Sequence, residues 1–422
     1  MKTMRIGFSK SDITPPLGTE LGGYAGYRPS SGVHDPLYCK AVVLEQSSVR
    51  YALAVMDLLC VDEALYLRIA DAVAALGIAK ERLIVSAIHT HASPRGVIPG
   101  AGALAGVNSS STPKGSAFMD YIQTVIEAAA DACSRAVESL ECFQVCATRG
   151  ALPQVGSERH TGAAPAGALT VVQCRTESGK LLTLYNFPCH PTVMSAANLQ
   201  VSADFAAGIE ELLGSDMAVF VNGAAGDIST RFTRRESSFA ECARMSRIVA
   251  EQIRNVICEV PFTRPEPLYG IHTTVTLRAR QVETPENAQK RLEKLTAQWK
   301  AAEAEGADPA TVRTLKSYAE GAGLNLQFSK TMGDLRQLHL PVTVFRFCGL
   351  DFATVPGELF SALQPEHISI IGYANGYYRY IGGEAAYEAN YYEALAAIIA
   401  RGEGERLVHE IEKLRQQLNE HH

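Results

Sequence analysis

The chain lacks any apolar stretch long enough to span a bilayer, so no transmembrane segment is expected. It also lacks an excess of positive charge. The 39 lysines and arginines against 45 aspartates and glutamates leave a formal −6. Nothing electrostatic therefore favours nucleic acid or an anionic membrane surface. The densest basic cluster, Arg231 with Arg234 and Arg235, is short. No Cys-x-x-Cys pair occurs, and the 10 cysteines sit singly, mostly in apolar segments. That pattern predicts reduced, buried thiols rather than a disulfide framework. The stretch Met1 to Phe8 has no apolar signal-peptide core. Together these features give a cytoplasmic protein as the expectation. No lysine follows the glycines of Gly223-Ala224-Ala225-Gly226-Asp227, which excludes a Walker loop there, and the segment is not a Gly-x-Ser-x-Gly elbow. No linker or repeat divides the chain, so a single catalytic domain is expected over 1–422.

What is present is a folded composition, 47% hydrophobic and 20% charged. Strand-like runs include Tyr38–Leu44, Arg50–Leu59, Arg82–Ile88, Cys142–Ala147, Leu169–Cys174, Leu181–Phe187, Met217–Asn222, Tyr269–Leu277, Leu340–Phe347 and Asp351–Val355. Polar turns at 45–49 and 176–180 read as hairpins. Helical patterns cover Asp62–Leu76, Ser116–Leu140, Phe205–Leu213, Ser237–Cys258, Pro285–Glu305, Pro309–Ala322, Glu388–Ala400 and Glu403–Asn419. The fold class is α/β (mixed α+β), with mixed β-sheets flanked by helices. The Ala-, Glu- and Lys-rich run 285–330 predicts a helical insert that projects from the body. The small-residue loop Arg95–Lys114 predicts a pocket wall.

Chemistry concentrates at a few junctions. The strand Arg82–Ile88 leads into His89-Thr90-His91, and strand alternation predicts that both imidazoles project to one side. A second strand, Leu181–Phe187, ends in Pro188-Cys189-His190-Pro191. Imidazole is the commonest zinc ligand, so His89, His91 and His190 suggest a metal site at strand ends, where one histidine binds metal and another carries a proton. Asp227 and Ser229 follow the strand Met217–Asn222, and Glu358 follows a Pro-Gly turn after another strand. A carboxylate there can complete a His/His/Glu set. Seven tyrosines, Tyr373, Tyr377, Tyr378, Tyr380, Tyr387, Tyr391 and Tyr392, crowd one segment and offer phenols to line a pocket.

In this order the segments resemble the neutral/alkaline non-lysosomal ceramidase family. The resemblance is carried by Asp12-Ile13-Thr14-Pro15, Gly32-Val33-His34, His89-Thr90-His91-Ala92-Ser93-Pro94, Ala224-Ala225-Gly226-Asp227-Ile228-Ser229, Pro356-Gly357-Glu358 and Ala374-Asn375-Gly376-Tyr377-Tyr378-Arg379-Tyr380. It implies Zn2+ held by His89, His190, Glu358 and Tyr380. His91 matches the unligated histidine, Ser229 the essential serine, Tyr392 a substrate-contacting tyrosine and Arg159 an active-site arginine. The expectation is that the family's C-terminal immunoglobulin-like domain and secretion signal are missing, and Ala92-Ser93-Pro94 stands where the family has Ser-Gly-Pro. The expectation is a zinc-dependent amidohydrolase that cleaves the N-acyl bond of a small-molecule amide or lipid-like substrate. Esterase, lactonase, sugar N-deacetylase and non-catalytic lipid or sugar binding are the alternatives. The oligomeric state is not legible.

Overall fold

The computed structural model describes residues 4–101, 104, 116–333, 335–389 and 391–420. Its main body is an eight-stranded sheet. The spatial order is Met217–Asn222, Leu181–Phe187, Leu169–Thr176, Glu141–Gly150, Met4–Asp12, Tyr38–Gln46, Val49–Met56, Ile78–Ala87. The centre is antiparallel, and each edge ends in a parallel pair. Hairpins set the register as expected. Ser47 and Ser48 both have positive φ (51° and 67°) between Gln46 and Val49, the geometry that a two-residue hairpin turn requires.

The sheet is joined in the middle by only two residue pairs, Arg5 with Cys142 and Ile6 with Glu141. It curls so that its edges meet at their C-terminal ends, where Asn222 Nδ2 donates to the Ile88 carbonyl at 2.9 Å. The helix Ser116–Glu138 covers one face and buries Phe118, Ile122, Val125, Ala129, Cys133 and Ala136 at three-to-four-residue spacing. A second sheet, in the order Tyr269–Arg278, Gln337–Phe347, Leu350–Thr354, Ile368–Ile371, carries the helix Glu403–Glu420. Mixed sheets flanked by helices are thus what the sequence predicts. All ten cysteines are unpaired. No described helix is long and apolar enough to cross a membrane.

Several local expectations are corrected. The strand before the histidines ends at Ala87, and His89 itself has φ of 69°, so strand alternation does not explain where the two imidazoles point. The helix expected over 388–400 is two short helices, Glu384–Glu388 and Tyr392–Leu395, followed by an extended stretch in which Ile399 bridges to Ala279. The apolar run Ala394–Ile399 is buried along its whole length, so it has no solvent face to impose helical periodicity. The helix expected to stop at Ala322 runs over Pro309–Thr331. Gly321 does not break it, because it provides close approach: a β-carbon there would lie 3.0 Å from Leu395 Cβ. Of the helical pair, Pro285–Ala304 buries only Ala288. Its partner is packed on Tyr392–Leu395 and buries Phe328 and Asn325. Most of the loop proposed as a pocket wall, 102–103 and 105–114, lies outside the described residues.

Candidate active site

Where the curled sheet's edges meet, three imidazoles converge. The ring nitrogens of His89, His91 and His190 lie within 4.8 Å of one another. His89 Nδ1 donates to the Leu59 carbonyl at 2.6 Å, and His190 Nδ1 donates to the Ile228 carbonyl at 2.9 Å. Each carbonyl fixes the tautomer and leaves Nε2 as a lone pair facing inward. Burial lowers both imidazoles, His89 to about 3 and His190 well below its ordinary value, so both are neutral. His91 Nε2 lies 3.4 Å from His89 Nε2, but its Nδ1 is buried without a partner among the described residues. The ring packs edge-on to Tyr24 at 4.8 Å. It also rests on Gly23, whose φ is +89° and where a β-carbon would collide with the imidazole.

The small-sheet side supplies the carboxylate. Glu358 and Tyr380 are register partners in a short parallel pair, Glu358–Leu359 with Tyr380–Ile381. Glu358 Oε2 lies 3.1 Å from His190 Nε2 and 3.5 Å from His89 Nε2. Its other oxygen accepts from the Tyr377 hydroxyl at 2.5 Å. Two imidazole lone pairs and a carboxylate oxygen therefore face one another in a buried space with no donor between them. Such a set repels itself unless a cation sits among the acceptors, so these residues fit a metal ion. Tyr373, at φ 55°, stacks on His89 at 4.3 Å, and its buried hydroxyl has no partner among the described residues.

Arg159 reaches the same centre. Its guanidinium donates to the Tyr380 hydroxyl and, at 3.2 Å, to Glu393. Glu393 also pairs with His160 at 3.1 Å, and His160 is stacked on Tyr391. Burial raises the Glu393 carboxyl, but the His160 hydrogen bond and the Arg159 charge outweigh it and hold the group down to about 2. The Tyr392 ring lies 6.0 Å from that of Tyr380. Ser229 is bridged through its backbone to His190, and its hydroxyl accepts the Arg231 N–H at 3.4 Å. Among the described residues no histidine is hydrogen-bonded to Ser229. Asp227 is turned away and caps Ser361, accepting its N–H at 2.7 Å.

The model of the neutral/alkaline non-lysosomal ceramidase N-terminal region matches residues 4–237, more than half of the chain. The chain belongs to this ceramidase family. The family is one of hydrolases that act on amide bonds. Among solved structures, the chain is similar to neutral ceramidase from Pseudomonas aeruginosa, at 17% identity and a TM-score of 0.75, over 100% of this chain and 75% of that one. It is also similar to a ceramidase complexed with C2, at 16% identity and a TM-score of 0.73, over 100% and 76% respectively. At these identities the likeness establishes the fold. No curated protein sequence matches the chain.

The expected site residues His89, His91, His190, Glu358, Tyr380, Tyr392 and Arg159 thus lie in one neighbourhood, with Ser229 beside His190. Sequence reading did not single out Tyr377 as the partner of Glu358, nor Glu393 and His160 as the brace of Arg159. Tyr377 was one phenol among seven, and only the tertiary register selects it. Glu393, adjacent to Tyr392, carried no signal of its own.

Proposed function

We propose that this ceramidase-family chain is a zinc-dependent amidohydrolase that cleaves the N-acyl bond of a linear amide of the ceramide type. The observation that carries this reading is the buried convergence of His89 Nε2, His190 Nε2 and Glu358 Oε2, acceptors without a donor. In this reading His89, His190, Glu358 and Tyr380 hold the metal. Bound there, zinc would polarise the amide carbonyl and activate a water at neutral pH.

The remaining roles fall to the chain's own groups. His91 has no carbonyl anchoring its Nδ1, unlike the two ligand histidines, which supports a proton carrier rather than a ligand. It takes a proton from the attacking water and returns it to the departing amine. Arg159, held by Glu393, directs a fixed positive charge at the oxygen on which negative charge develops. Tyr380 presents its hydroxyl to Arg159, and Tyr392 packs next to Tyr380. Ser229 orients the substrate, and the lack of a histidine on its hydroxyl supports positioning over nucleophilic attack.

The test is a screen of the zinc-loaded protein against short-chain ceramide, other N-acyl amides, N-acetyl sugars and the matching esters. Fastest turnover on N-acyl amides, without a covalent acyl adduct on Ser229, is the expected result. Turnover of esters alone, or a trapped Ser229 adduct, would overturn it.

A further inference from the structure

Away from the histidines, the two sheets do not close against each other. Between them lies a cavity of about 380 Å³, within the range of small-molecule sites and lined by no residue of the histidine cluster. Val42, Leu53, Ile84 and Val172 line it from the large sheet, and Phe345 and Phe352 from the small one. Protein interiors seldom leave voids larger than a water molecule, and an apolar space of this size is costly when empty. Leu44, Leu53, Ile84 and Phe345 stay partly exposed although they lie between two sheets, so the space opens outward.

The polar groups sort into two sets. Inside, Asn186 Nδ2 donates to the Val221 and Ile370 carbonyls at 2.8 Å, and the Thr170 hydroxyl is bonded to Ser369 at 2.6 Å. These donors are bonded within the protein, and the rest of the interior lining is mostly apolar. At the other end His272 is bonded to Thr343 at 2.9 Å, feels the charges of Glu81 and Lys80, and lies near the strand end that carries Arg82. Arg82 lines the cavity at this end. Its guanidinium lies over the Tyr51 ring at 5.9 Å and has no carboxylate partner among the described residues. Glu81 lines the same mouth and its charge reaches His272, but no ion pair joins it to Arg82 among the described residues.

We propose that this cavity is a binding site for one unbranched alkyl chain with a carboxylate head, a free fatty acid, with the chain between the sheets and the head on Arg82. The site is separate from the histidine centre, and the inference does not depend on the amidase reading.

Titration of the metal-loaded 422-residue chain with dodecanoate tests it. Saturable binding at one site is expected, and Leu53→Trp, which fills the cavity, should abolish it while leaving amide hydrolysis unchanged. Arg82→Glu, at an exposed position that leaves folding intact, should weaken dodecanoate by about tenfold or more, as for loss of a charge-assisted pair, and leave dodecanol unaffected. Four results would overturn the proposal: no binding to the wild type, tighter binding of dodecylamine than of dodecanoate, equal dodecanoate affinity in Arg82→Glu, or loss of binding in His91→Ala. If Leu53→Trp does not fold, Arg82→Glu decides.

Discussion

His89 and His190 stand on the rim of the large sheet with Nδ1 against the backbone carbonyls of Leu59 and Ile228. Glu358, across from them on the small-sheet side, is held instead by the side-chain hydroxyl of Tyr377. Backbone anchors come with the fold and no substitution removes them. A side-chain anchor disappears with one atom. The histidine half of the site should therefore keep its geometry through most point changes nearby, whereas the carboxylate half should respond to changes in its supporting phenol. His91 falls between the two, inside the cluster but with no anchor on its second nitrogen.

The largest effect should come from breaking the carboxylate half outright. Glu358→Gln keeps the shape, removes the charge that balances a cation, and should cut turnover on the order of 10⁴-fold or more, the scale seen when a set acting as a unit loses a member. Turnover within tenfold of wild type would place the essential charge elsewhere. Next is His91→Ala, with an expected kcat loss of roughly 10²–10⁴-fold, as for a general acid/base, read in single-turnover kinetics. A loss confined to KM would reassign His91 to substrate binding.

Tyr377→Phe sharpens the contrast between the halves. Removing the hydroxyl should weaken metal affinity by roughly 10–100-fold in competition with a chelator, the usual cost of losing a ligand's hydrogen-bond partner. Unchanged affinity would mean that the carboxylate is fixed without its phenol. The smallest effect is expected outside both halves. Asp62 caps the helix Glu63–Val73 by accepting from Leu65 N at 2.8 Å and also accepts from Ile98 N at 3.0 Å. Asp62→Ala should lower stability by about 1 kcal/mol in denaturant unfolding, as for loss of an N-cap, with kcat unchanged.

The same contrast explains how far the sequence could be read. Leu181–Phe187 and Met217–Asn222 occupy the bounds expected of them, because a short apolar run between polar turns has one stable use in a sheet. The histidines were visible as residue types, but the reason they converge was not. His89 in a left-handed conformation, and a sheet that curls until Asn222 reaches Ile88, are tertiary outcomes without a local pattern. The extended stretch after Leu395 was hidden because apolar residues buried on every side show no period. Tyr377 and Glu393 were hidden because their roles depend on which neighbour the fold delivers, Glu358 in one case and Arg159 in the other.

The central claim is a metal held by His89, His190, Glu358 and Tyr380, with His91 beside it but not bound to it. Metal content of protein purified without chelator, measured on wild type, His91→Ala and His190→Ala in parallel, tests that division most directly. The account predicts one zinc per chain in the wild type and in His91→Ala, and almost none in His190→Ala. Equal loss of metal from both variants, or a wild type that holds no metal, would contradict it.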